Sequence, residues 1–328
     1  NFELNMSLGI TSNPEESSNF SIKSDRVIEI KDGFSIIKPF AGNKIATLTF
    51  NRQKIIIYDE DFHEIAQFTA TRDIEKSHII TNTEITAFEC LGKTWRVLVF
   101  TSDNYLRLVH IGLAQPKELL RYNLQKFGLS SVLFLEKNLF LTTDSKEKFR
   151  IWNCLNFKMV STVNCQKKGP PVSAIAFNSK EKYIAISFIQ DSVILFFHLY
   201  KKNFVIKIDL QRRGLHRINF FFLREFFIGV LTLSEIGIWK LNNKKEYEYQ
   251  GKVKTEGALT KDTIISEKFG LLASIKKYIR LYNVPDGTLK ESIELKAGFE
   301  PGKIFFSSSS NKIIVQNQAG NLVNIIET

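Results

Sequence analysis

Cysteine is scarce in this chain. Its 328 residues hold three, Cys90, Cys154 and Cys165, an odd number with no CxxC spacing. Such a set supports neither a disulfide framework nor a zinc site by itself. The three read as reduced thiols of an intracellular protein, cytoplasmic or nuclear. The five histidines, His63, His78, His110, His198 and His216, are scattered, and no HExxH brings two of them onto one helix face. No metal is therefore expected. There is no GxxxxGK[ST] phosphate loop, no GxGxxG and no GxSxG nucleophile elbow, so the expectation is a chain without cofactor and without catalytic activity. The longest apolar stretches, near 193–197 and 226–231, fall far short of the roughly 18–20 residues that a helical membrane span requires. No basic-then-apolar leader opens the sequence, and a first residue of Asn reads as a trimmed chain with room for further domains in its parent. Helical periodicity is absent over any long window.

What the sequence has is phenylalanine, 28 residues of it, and a repeat. A short apolar strand ends on an aromatic or apolar residue and is often followed by Asp or Asn. The instances are IIIYD at 55–59, LRLVH at 106–110, FRIWN at 149–153, ILFFH at 194–198, IGIWK at 236–240, IRLYN at 279–283 and LVNIIE at 322–327. With Tyr58, Val109, Trp152, Phe197, Trp239, Tyr282 and Ile325 as markers, the intervals are 51, 43, 45, 42, 43 and 43 residues. All but the first match the roughly 40–45 residues of one four-stranded propeller blade. The first interval is stretched by a polar segment around 71–77. Each period holds four strand signals; in the fourth unit they are 172–177, 183–188, 193–198 and 204–210, rich in β-branched and aromatic residues and separated by polar turns. The fold class expected is all-β, a seven-bladed β-propeller.

The phase of the pattern carries a second expectation. The seventh unit stops after its third strand, whereas an orphan strand at 26–31 precedes the first complete unit. That orphan would complete the last blade and join the ring head to tail, covering edges that an open array leaves exposed. Residues 1–24 then read as a flexible tail and 25–328 as the propeller.

At Ile151-Trp152-Asn153, Ile238-Trp239-Lys240 and Leu281-Tyr282-Asn283 the chain resembles a divergent member of the WD-repeat β-propeller family. Asp103, Asp191 and Asp144 fit the family's Asp in the turn before the third strand. No Gly-His dipeptide occurs, so the His–Asp network typical of the family is incomplete in every blade. What the resemblance implies is a scaffold that assembles other macromolecules. The fold alone fixes no activity. Trp152 and Trp239, both on third strands, are expected in the core, and His110 and His198, standing in the repeat's Asp slot, in structural roles.

The net charge of +11 favours acidic partners. Loops from each fourth strand to the next first strand emerge on one face, together with the turns between second and third strands. The first set carries Arg72, Lys126, Lys167, Lys168, Arg212, Arg213, Arg217, Lys252 and Lys254, and the second Arg52, Lys54, Lys276 and Lys277; these are the candidate partner-binding residues. With Lys76, Lys146, Lys148 and Lys296 the face has 17 basic residues against nine acidic ones. The reading is a non-enzymatic adaptor that binds other proteins of a complex through this face. An RNA-associated subunit, in ribosome assembly or tRNA modification, is the alternative. Gln211-Arg212-Arg213-Gly214 also looks like the Arg-Arg-Gly signature of phosphoinositide-binding propellers, although three units follow it instead of that family's two and Gln211 stands where a Phe or Leu is usual.

Overall fold

The computed structural model describes residues 24–74, 79–92, 94–112, 115–124, 129–136, 138–144, 148–164, 172–178, 180–188, 193–209, 220–223, 225–232, 235–254, 263–266, 270–275, 277–283, 286–307 and 312–327. The segment read as a tail lies outside them, apart from Ser24. These residues form seven four-stranded antiparallel sheets and one two-stranded ribbon. Six of the sheets run in chain order, as blades 1 to 6 at residues 34–69, 85–123, 129–164, 172–209, 220–254 and 263–294. The seventh sheet takes Pro301–Ser307, Lys312–Asn317 and Leu322–Glu327 as its inner three strands and Ser24–Glu29 as its outermost. That N-terminal strand pairs antiparallel with the last one, from Ser24 opposite Glu327 to Glu29 opposite Leu322. The strand thus begins two residues before the segment read at 26–31 and ends two residues before it closes.

Strand reading in the middle of the chain fits closely. The fourth blade has strands Val172–Asn178, Tyr183–Phe188, Val193–His198 and Asn203–Asp209. The first strands lie side by side in blades 1 and 2, 2 and 3, 4 and 5, 5 and 6, 6 and 7, and 7 and 1.

The core lies between blades rather than inside any one of them. One cluster joins Phe40, Ile55 and Ile57 of blade 1 to Phe88, Val97 and Val109 of blade 2. The next joins Leu106 and Leu108 to Phe140 and Trp152 of blade 3, and others span blades 3 and 4, 4 and 5, and 6 and 7. The seam between blades 7 and 1 is filled by Ile30, Phe305, Ile314, Val323 and Ile325 against Phe34, Ile45, Ile56 and Tyr58. Side chains alternate across a strand, so Ile55 and Ile57 face blade 2 while Ile56 and Tyr58 face blade 7. Both faces are buried, which is why these strands read as continuous apolar runs instead of clean alternation.

Two sequence expectations need correction. In blade 7 the strand partner of Ile313 is Ile326, with Glu327 opposite Lys312, just as Trp152 lies opposite Phe140 and Asn153 opposite Leu139 in blade 3. The marker of the seventh unit is therefore Ile326, not Ile325. A one-residue slip exchanges the two faces of a strand, and the adjacent Ile325 and Ile326, both buried, gave no alternation to fix it. Second, the extra segment in the first interval includes regular structure. Thr71–Ile74 and Ile79–Asn82 pair as an antiparallel ribbon between blades 1 and 2.

Candidate interaction face

Turn chemistry explains the Asp or Asn that follows several of the third strands. The Asp59 side chain accepts hydrogen bonds from the backbone N–H groups of Asp61 and His63, 2.9 Å each. Asn153 accepts from Leu155 at 2.8 Å and Asn242 from Glu246 at 2.9 Å. In blade 4 the acceptor is His198, whose Nδ1 lies 3.2 Å from the N–H groups of both Tyr200 and Lys201. A short side-chain acceptor here mimics one turn of backbone and organises the loop. Burial and the neighbouring Lys201 lower the pKa of His198, favouring the neutral ring that this role needs. Asp59, Asn153, His198 and Asn242 thus serve turns, the structural role expected of His198.

The predicted face is bounded by bonds between its two sets of loops. Arg52 stands at the turn between the second and third strands of blade 1, with φ of 55°. Its backbone carbonyl accepts from Ile85 N–H at 2.6 Å. Its guanidinium donates to the carbonyls of Ile85 and Thr86 at 3.2 and 2.7 Å and lies 3.4 Å from Glu84. Arg52 therefore fastens blade 1 to blade 2. Lys54 is half-buried at the start of its strand, opposite Thr69. Lys252 pairs with Glu235 at 2.6 Å, and Lys277 with Glu294. The hydrogen bond to Glu294 raises the Lys277 pKa, and its ammonium lies 5.1 Å from the Tyr278 ring centre. Arg72 is placed on the ribbon and Lys254 at the end of the outermost strand of blade 5. Lys126, Lys167, Lys168, Arg212, Arg213, Arg217 and Lys276 lie outside the described residues. Of the candidate set, Arg52, Lys252 and Lys277 are thus engaged with neighbouring carboxylates and, for Arg52, carbonyls.

The best-defined polar centre near this face was not singled out in the sequence. Arg107, on the third strand of blade 2, has a side chain 1% exposed. It contacts Asp103 at 3.0 Å and Glu118 at 3.1 Å, and donates to the Thr71 carbonyl at 2.8 Å and the Thr101 hydroxyl at 3.3 Å. Thr101 in turn donates to Asp103. Asp103 occupies the turn position that the family resemblance marked, so its partner here is a guanidinium two residues before the strand's marker. Arg107 also floors a cleft of about 350 Å³ between the outer strands of blades 1 and 2, lined by Gln67, Thr69, Pro116, Glu118 and Arg121 among others. The Arg107 contact to Thr71 ties down the base of the ribbon, and Ala70 N–H to the Gln53 carbonyl, 3.2 Å, holds it from the other side. Asp103 was legible; Arg107 was hidden by its place in an apolar strand, where a lone Arg is the signal to ask what neutralises it.

Trp152 and Trp239 are buried, at 1% and 4% exposure. The Trp152 indole donates to Thr142 Oγ1 at 2.8 Å and stacks on Phe140. Cys90 and Cys154 are buried free thiols, and burial pushes both thiols above their usual pKa, the environment of an unreactive cysteine. Cys165 lies outside the described residues. Among the described residues no three His, Cys, Asp or Glu side chains cluster as a metal site would need.

Neither a protein-family model nor a curated protein sequence matches the chain. Its fold, however, is that of known β-propellers. The Cps50 (Swd1) β-propeller domain of Myceliophteria thermophila superposes with a TM-score of 0.70 at 10% identity, over 92% of this chain and 98% of that one. Raptor of Chaetomium thermophilum gives 0.72 at 12% identity, over 92% of this chain and 28% of that one. The likeness establishes an all-β propeller of four-stranded blades.

Proposed function

We propose that this chain is a non-enzymatic scaffold acting inside the cell, in the cytoplasm or nucleus. On this reading it is a seven-bladed propeller closed by its N-terminal strand, and it holds protein partners of a multi-subunit complex on its loop-bearing face. One observation carries the reading. The ribbon Thr71–Asn82 is added to a repeat that needs no such element, since the other intervals manage with 42 to 45 residues. It sits between blades 1 and 2 on the face where the basic loops emerge, and its base is fixed by Arg107 and Gln53. A rigid ring that holds a projecting ribbon and loops is suited to recognition, because binding residues concentrate on loops positioned by a stable scaffold. The propeller neighbours support this only through the fold.

The test has two variants. One reverses Lys167, Lys168, Arg212 and Arg213 to Glu; the other replaces residues 72–81 with a two-residue turn. Each is compared with the unaltered chain by quantitative affinity capture from native extract and by thermal melting. Partner loss with an unchanged melting curve is the expected result, since surface substitutions of this kind usually change stability by under about 0.5 kcal/mol each. Retention of every partner by both variants would sink the proposal. Should the captured partner be RNA, affinity would fall steeply with salt, with a shallower log–log slope in the charge-reversed variant.

A further inference from the structure

The face opposite the predicted one carries a lysine cluster at blades 4 and 5. It is built from three turns. In blade 4 the turn after the first strand holds Lys180, Glu181 and Lys182, and the turn after the third strand holds Tyr200, Lys201 and Lys202. In blade 5 the turn after the third strand holds Lys244, Lys245 and Glu246. The two turns of blade 4 are joined by Leu199 N–H to the Lys182 carbonyl at 2.9 Å, and Lys245 reaches Glu181 across the blade boundary at 3.1 Å. Lys180, Lys201, Lys202, Lys244 and Lys245 are exposed, and Tyr200 is 54% exposed among them.

The backbone marks these lysines as more than a solvated fringe. In blades 1, 3, 4, 5 and 6 the turn after the third strand holds a residue in the left-handed region, which only glycine adopts without steric cost. Blade 6 uses Gly287 there, with φ of 72°. Blades 1 and 3 use Phe62 and Phe157, at 64° and 52°, and both rings are buried, an offset for the strain. Blades 4 and 5 use Lys202 and Lys245, at 54° and 64°, whose exposed side chains gain no such burial. Lys182, in the adjoining turn, has φ of 62°. Turn chemistry favours Gly or Asn at all three positions, and each holds a cation instead.

We infer that this cluster is a second interaction surface and that its partner is an acidic protein segment. Among the described residues its cations are all lysines, compact charges without the planar fork that arginine offers to phosphate or to a base. Carboxylates are interspersed among them at Glu181, Glu225 and Glu246. That mixed pattern repels a continuous polyphosphate chain and complements a peptide carrying acids with scattered bases. The inference rests on the protein-scaffold reading, but it concerns the other face of the ring.

The full chain is titrated into a fluorescein-labelled sixteen-residue peptide of four Glu-Glu-Lys-Glu repeats by anisotropy, at low and moderate salt. A sixteen-nucleotide uridine RNA and phosphatidylserine vesicles form parallel arms. One variant reverses Lys201, Lys202, Lys244 and Lys245 to Glu; a charge-matched control reverses the exposed Lys31, Lys117, Lys158 and Lys290. The expected result is peptide binding weakened at least tenfold by the cluster variant and less than threefold by the control, with melting curves preserved. Equal weakening by both variants would mean that only net charge matters, and would overturn the inference. So would RNA or vesicle binding that depends on the cluster while peptide binding does not. Either failure leaves the affinity-capture test of the opposite face unaffected, because the probe is a defined peptide.

Discussion

Arg107 shows how one residue can commit a blade to its neighbour. A guanidinium 1% exposed is tolerable only when charge and hydrogen bonds compensate its lost hydration. Asp103 and Glu118 supply the charge, and Thr71 and Thr101 the remaining acceptors. Replacing Arg107 with Met keeps much of the volume but leaves Asp103, 5% exposed, without its counter-ion. Loss of one partner of a buried pair typically costs about 3–5 kcal/mol, and urea denaturation of Arg107→Met should show a loss of that order. Adding Asp103→Asn should recover part of it, because the cost lies in the orphaned charge. A double variant no more stable than the single one would assign the loss to packing instead. Sequence reading located Asp103 from its place before the third strand, but could not pair it. The partner depends on which face of the strand Arg107 occupies, and that face is set by contact with blade 1.

At the scale of elements, strand ends were legible and strand faces were not. Polar turns and the acceptors Asp59 and Asn153 mark where third strands stop, because local turn chemistry is written in adjacent residues. The register of Leu322–Glu327 was misread by one, because a strand buried on both faces offers no period of two. The ribbon was visible only as surplus length, since Thr71–Ile74 and Ile79–Asn82 lack a strong strand pattern. Of the candidate face, the residues at strand edges could be placed, while their engagement with Glu84, Glu235 and Glu294 depended on pairings distant in sequence.

The strand Ser24–Glu29 gives this scale its prediction. It pairs along its full length with Leu322–Glu327; Arg26 bridges to Asp61 of blade 1, and Lys312 lies within 3.5 Å of Glu60 and 3.3 Å of Glu327. A chain lacking residues 1–31 exposes a sheet edge and removes Ile28 and Ile30 from the seam, so it should lose its cooperative melt and aggregate. Adding a synthetic peptide of residues 24–31 should restore solubility. A truncated chain that stays monomeric and melts like the parent would show that the strand is dispensable.

For the whole molecule the question is whether the blades stand or fall together. In a linear array each repeat contacts only its neighbours, and the ends open first. Here blades 7 and 1 share Ile30, Ile314 and Val323 with Phe34, Ile45 and Tyr58, so neither is a terminal repeat with a bare face. Three tryptophans report from separate places: Trp95 against the cluster between blades 1 and 2, Trp152 between blades 2 and 3, and Trp239 between blades 4 and 5. Replacing two at a time with Phe leaves three single-tryptophan chains. Their absolute stabilities will differ, since Trp152→Phe also strands the Thr142 hydroxyl, so each is judged against itself. In every chain, fluorescence and far-ultraviolet circular dichroism should trace the same urea transition, as coincident probes do when unfolding is cooperative. If the intact chains instead show Trp95, beside the seam, unfolding well before the dichroism while Trp239 follows it, the blades act as an open array. The pairing of the first and last strands would then contribute little to holding the ring.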